Sequence, residues 1–125
     1  MIIEAKTIPH NHQRYNTVGD WLGNKLNRFI TVSELGDPDM ELCIAIHEIV
    51  EQALCIKRGI SEESVANFDL AYKGYGEPGD EINAPYHREH TYATAIEMSL
   101  AKELGIDLQE YERRIEEVYK SRNVV

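Results

Sequence analysis

The chain reads as an α+β domain: a short N-terminal β-hairpin or small antiparallel sheet followed by about four helices. Three observations predict this. Strand-like alternation is confined to the first 32 or so residues. Capped, apolar-periodic stretches of helical length fill the rest. Gly- and Pro-bearing segments separate them, and strands followed by helices is the α+β order.

Ile2 to Ile8 alternates weakly and stops at Pro9, which marks a short strand. His10 to Asp20 is polar and contains Gly19, so it reads as a loop. Trp21-Leu22 and then Asn27 to Val32 are further strands, the latter better defined by Arg28-Phe29-Ile30-Thr31-Val32. Asp37 and Pro38 form an N-cap and a first helical residue, so a helix is expected over Pro38 to Arg58, closed by Gly59. Ser61 caps a shorter helix to about Tyr72. Gly74 to Ala84 is a loop, and Pro85 opens a third helix that ends at Leu104-Gly105. Asp107 with Glu110 has the spacing of a capping box for a fourth helix, Leu108 to about Arg122.

At 125 residues the chain is one domain, large enough to bury a core. Thirteen basic and 22 acidic residues give a net charge of −9, which speaks against nucleic acid and acidic membranes as partners. No apolar run reaches the length of a membrane span. The opening MIIEAKTIPHNH lacks the pattern of a secretion signal. Cys43 and Cys55 fall on one helix, about 18 Å apart, too far to bridge. Free thiols fit a cytoplasmic location.

The chemistry concentrates in His47-Glu48-Ile49-Val50-Glu51. Residues i and i+4 share a helix face, so His47 and Glu51 can grip one ion between them. Glu48 follows the first ligand directly, where H-E-x-x-H hydrolases carry their general base, although Glu51 stands where those have a second histidine. On a helical wheel Leu42, Ala45, Ile46, Ile49, Val50 and Ala53 form the apolar face, with His47 and Glu51 at its edge. The third helix carries a second anomaly. His90 and Glu97 fall on an apolar stripe of Tyr86, Ala93, Ile96, Leu100, Ala101 and Leu104, and a carboxylate there needs a partner. His90 is therefore the third ligand. Glu97, about 10 Å along the axis, is an orienting residue, a ligand to a second metal, or the partner of a buried Arg such as Arg28. His87, one turn before His90, is an alternative ligand. Glu89, His10 and His12 read as solvated.

The stretch Gly74-Tyr75-Gly76-Glu77-Pro78-Gly79-Asp80 is no phosphate cradle: no Lys-Ser or Lys-Thr follows, and its acids repel phosphate. It reads as a connector, with a lid over the site as the alternative. On the fourth helix Leu108, Tyr111, Ile115, Val118 and Tyr119 form a stripe that packs on the core or on another subunit, so a homo-oligomer is one expectation.

The helix with His47 to Glu51, the loop Gly76 to Asp80, and Pro85-Tyr86 with His90 and Ala93 together resemble small bacteriophage and prophage proteins of uncharacterised function. That resemblance implies no particular reaction. Placement in a host-cell cytoplasm would follow from it. At His47 and Glu48 the chain is also similar to zincin-type metallopeptidases. Glu48 and Glu51 are similar to one motif of the all-α nucleoside triphosphate pyrophosphohydrolases, but Leu100 stands where their second motif needs an acid.

The leading expectation is a zincin-like, metal-dependent hydrolase: His47, Glu51 and His90 on Zn²⁺, a metal-activated water, Glu48 as general base, and a small-molecule or peptide substrate. Mg²⁺ or Mn²⁺ are the other candidate ions. The alternatives are a non-enzymatic phage interaction protein with a buried His/Glu network, and a Mg²⁺-dependent nucleotide pyrophosphohydrolase using Glu48, Glu51 and Glu97.

Overall fold

Three strands and four longer helices follow one another along the chain, as the punctuation predicts. In the computed structural model, residues 1–74 and 76–123 are described. The strands are β1 (Ile2–Ile8), β2 (Gly19–Gly23) and β3 (Asn27–Ser33), and the helices are α1 (Pro38–Lys57), α2 (Glu62–Ala71), α3 (His87–Glu103) and α4 (Leu108–Asn123). No helix among the described residues is long and apolar enough to cross a membrane.

The sheet has the order β1-β3-β2 and is mixed. This corrects the expectation of an antiparallel sheet or hairpin alone: β2 and β3 do form an antiparallel hairpin, but β1 pairs with β3 in parallel. The connection from Pro9 to Val18, with a 3-10 turn at His10–His12, lets the chain cross so that β3 enters beside β1 in the same direction. The hairpin turn rests on Asn24, whose Oδ1 accepts from the N–H groups of Leu26 and Asn27 at 2.9 and 3.0 Å. Gly23, at φ 105°, takes the left-handed conformation that the turn needs.

The inner face of the sheet carries Trp21, Ile30 and Val32, buried with Met40, Cys43 and Ile44 of α1. Asp37 caps α1 by accepting from the N–H groups of Asp39 and Met40. The buried side of α1 is not the one that the apolar wheel selects. Leu42 is 47% exposed, while His47, Glu48, Glu51 and Gln52 are buried with Cys43, Ile44 and Cys55. The polar residues go inside because partners from α3 and β2 meet them there.

Two local expectations change. The third helix begins at His87, and Pro85 and Tyr86 belong to the preceding turn. Glu110 forms no capping box; Asp107 alone caps α4, and Glu110 pairs with Arg113 and Arg114. Those guanidinium groups compete successfully for the carboxylate.

Candidate metal centre

α1 and α3 pack antiparallel: His47 meets Glu97, Glu51 meets His90, and Arg58 meets Glu89. The edge of α1 bearing the i, i+4 pair therefore faces His90. Glu51 Oε2 lies 3.1 Å from His47 Nε2 and 2.9 Å from His90 Nδ1, and the two ring nitrogens are 3.2 Å apart. These three buried residues offer ligand atoms within 4.8 Å of one another and could hold a metal ion.

Every remaining polar atom of the trio is held from behind. His47 Nδ1 donates to Glu97 Oε1 at 2.8 Å, and the Tyr111 hydroxyl donates to Glu97 Oε2 at 2.6 Å. His90 Nε2 donates to Asp80 Oδ1 at 3.0 Å. Trp21 Nε1 donates to Glu51 Oε1 at 3.0 Å. Each imidazole thus has a carboxylate on its outer nitrogen, which fixes the tautomer that leaves the inner nitrogen free to ligate.

Glu97 lies behind His47; its partners are His47 and Tyr111, not Arg28. Glu48 stands beside the trio, buried, with Oε2 3.6 Å from His47 Nε2. His87 is turned away: its Nδ1 is bonded to the Gly79 carbonyl at 2.9 Å. Glu89, expected in solvent, is buried and paired with Arg58 at 2.7 Å. His10, also expected in solvent, is buried between the Ser33 hydroxyl and Asn16, both 2.7 Å away. His12 is exposed.

The loop between α2 and α3 is part of the site. Asp80 supports His90, and Glu77 accepts from the Tyr119 hydroxyl at 2.5 Å. Glu77 and Asp80 line a cavity of about 210 Å³ together with Ile44, His47, His90 and Glu97, and Glu48 is not part of that wall. A Cβ at Gly79 would come within 2.6 Å of His90 Nδ1 and 2.5 Å of its Cγ, so only glycine lets the loop lie against the ring. Gly79→Ala should cost about 1–3 kcal/mol of stability through overpacking and weaken any metal bound through His90. Urea denaturation and chelator competition measure the two effects.

Burial disfavours charge on both imidazoles, but hydrogen bonds to Glu51 and Glu97 outweigh it at His47 and hold that ring well above the ordinary range. At His90 burial is again overcome, by Asp80 and Glu51, and the ring is pushed up to about 10. Burial also works against the Glu51 carboxylate, yet its bonds to His47 and His90 bring it down to about 2. Glu48 is held well above the carboxylate range, by burial first and by the Glu51 charge second. Burial raises Glu77 as well. In the absence of an ion the two rings are held together by three carboxylates, with Glu51 between them and Glu97 and Asp80 behind.

Sequence reasoning missed Trp21, Glu77, Asp80 and Tyr111 as members of this centre. The Gly-Glu-Pro-Gly-Asp stretch was a usable signal for two of them. Trp21 and Tyr111 carried none, since each looks like an ordinary core aromatic. Comparison of the chain with protein-family models, curated proteins and solved structures gives no significant match.

Proposed function

We propose that the protein is a metal-dependent hydrolase in which His47, Glu51 and His90 hold one Zn²⁺ and Glu48 is the general base. One observation carries this reading: the trio turns one atom each to a common point, while neighbours occupy all its other polar atoms. Ligands at about 2.0–2.1 Å from a tetrahedral Zn²⁺ lie about 3.3 Å from one another. The triangle of 2.9, 3.1 and 3.2 Å is close to that spacing and would open slightly around an ion. Two imidazole nitrogens with one carboxylate suit Zn²⁺, whereas Mg²⁺ prefers oxygen alone. The oxygen cluster that a pyrophosphohydrolase would need is dispersed, because Glu97 is engaged by His47 and Tyr111.

A Zn²⁺ held by His47, Glu51 and His90 would supply a nucleophilic water near neutral pH and would polarise a carbonyl or phosphoryl oxygen. Glu48, buried beside the trio with Oε2 3.6 Å from His47 Nε2, would take a proton from that water and pass it to the leaving group. Glu97 and Asp80 keep the two rings in the ligating tautomer. Glu77, on the cavity wall, faces whatever enters. The cavity is smaller than the roughly 300–1,000 Å³ of a drug-sized ligand site, so a small substrate or a single side group fits.

Metal analysis of protein purified without a polyhistidine tag tests the reading. One equivalent of Zn²⁺ is expected, and a hundredfold excess over Kd should stabilise the fold by about 2.7 kcal/mol. Protein that carries no stoichiometric metal, and melts at the same temperature with Zn²⁺ or Mn²⁺ added, would sink it. That outcome would support the second reading, a non-enzymatic interaction protein with a structural His/Glu network. The observation in its favour is that the four ring nitrogens of His47 and His90 already have carboxylate partners without an ion.

A further inference from the structure

β1 is an outer strand of the sheet, paired with β3 along one side, and six of its seven residues are exposed. Its bonding to β3 is fixed at both ends. The Ile2 N–H donates to the Leu26 carbonyl at 2.8 Å, and the Ile8 carbonyl accepts from the Glu34 N–H at 2.9 Å. In a parallel pair alternate residues make the ladder bonds. In this register they are Ile2, Glu4, Lys6 and Ile8. The N–H and C=O groups of Ile3, Ala5 and Thr7 therefore point away from β3, along the open edge.

Those three residues are symmetric about Ala5. An antiparallel copy of β1 with Ala5 opposite Ala5 places Ile3 opposite Thr7 on both sides, so all three outward residues enter hydrogen-bonded pairs. The same register sets Glu4 opposite Lys6 twice, at the non-hydrogen-bonded positions where facing side chains come closest, about 4.5 Å between Cα atoms. Sliding the copy by one repeat in either direction opposes Glu4 to Glu4 or Lys6 to Lys6, which is unfavourable. Within one chain Glu4 and Lys6 share a face and pair at 3.0 Å, both well exposed, so they are free to exchange partners. Apolar Ile2 and Ile3, 59% and 44% exposed, lie on the same edge.

We propose that β1 is a homodimerisation edge: a second copy of this chain adds antiparallel to it, centred on Ala5, and joins the two three-stranded sheets into one. The self-complementary placement of Glu4 and Lys6 selects a second copy as the occupant. The inference is independent of the metal reading, because β1 contributes no residue to the candidate centre.

Sedimentation equilibrium over a concentration series, at low salt and with chelator present, tests it. The unmodified chain should show a monomer–dimer equilibrium. Glu4→Lys and Lys6→Glu should each weaken it by about tenfold or more, since each sets like charges opposite one another twice. A 1:1 mixture of the two variants should recover association, because the two lysines on the strand of the first variant then face the two glutamates on the strand of the second. Ala5→Pro should abolish the dimer while leaving the circular dichroism spectrum unchanged, since the Ala5 N–H takes no part in the ladder to β3. A chain monomeric up to millimolar concentration overturns the proposal and assigns Glu4 and Lys6 to the ordinary protection of a bare edge. So does a dimer indifferent to all of these changes.

Discussion

His90→Ala is expected to lower Zn²⁺ affinity by more than about 100-fold, beyond the roughly 10–100-fold that loss of a supporting residue costs. The substitution removes one of only three protein ligand atoms in the buried trio. It also frees Asp80, whose bond to the ring runs through Nε2. Asp80→Asn separates these contributions. It keeps the ring and an acceptor oxygen but removes the charge behind it, so its loss should fall within the supporting range. Competition against a fluorescent chelator measures both variants. Equal affinities for His90→Ala and the unmodified chain would remove His90 from the ligand set and with it the proposed hydrolase site. The alanine variant should remain folded more readily than His47→Ala, because His47 is in contact with Glu48, Glu51 and Glu97 at once. Deleting His47 would strand several buried carboxylates, a loss of about 3–5 kcal/mol for a broken buried pair.

Metal affinity should rise by about 100-fold per pH unit near neutrality, equivalent to about 2.7 kcal/mol for two protons released. His47 is held well above 6.5 and His90 at about 10, so both rings carry an extra proton at pH 7 that an ion must displace. Without metal the sign reverses. A histidine whose folded pKa is raised stabilises fully below its unfolded value, and that stability is lost as pH rises through the folded value. The window for His90 thus runs from about 6.5 up to about 10. Glu48, also raised, acts in the same direction from 4.5 upward. Glu51, lowered to about 2, contributes stability above 4.5 that is lost as pH falls towards 2. Thermal melts from pH 6 to 9 should therefore slope downward in chelator and run nearly level in saturating Zn²⁺, because the gain in metal affinity offsets the stability lost from the two rings. Parallel slopes would mean that no ion displaces those protons.

How much of this was legible depends on the kind of information each feature carries. Helix limits were readable because caps are local: Asp37, Ser61 and Asp107 each act on backbone N–H groups within three residues. His90 and Glu97 were readable as anomalies because a buried stripe has a helical period and polar residues violate it. The wheel failed on α1, where it placed His47 and Glu51 at the margin of an apolar face. The buried side in fact carries His47, Glu48, Glu51 and Gln52 beside Cys43, Ile44 and Cys55, and Leu42 is outside. Periodicity reports which face is apolar, and that coincides with the buried face only when buried polar groups are few. The same limit hid Glu89, whose burial depends on Arg58 approaching from the neighbouring helix.

The sequence by itself determined the order and type of the elements, and the i, i+4 pairing of His47 with Glu51, because both follow from short-range geometry. Only the tertiary structure decided the parallel pairing of β1 with β3, the meeting of α1 with α3, and the recruitment of Trp21, Asp80, Glu97 and Tyr111 behind the trio. These are contacts between residues as far as 50 positions apart. They depend on how whole elements dock, and the docking is set by the summed burial of the core and the pairing of its charges rather than by any local pattern.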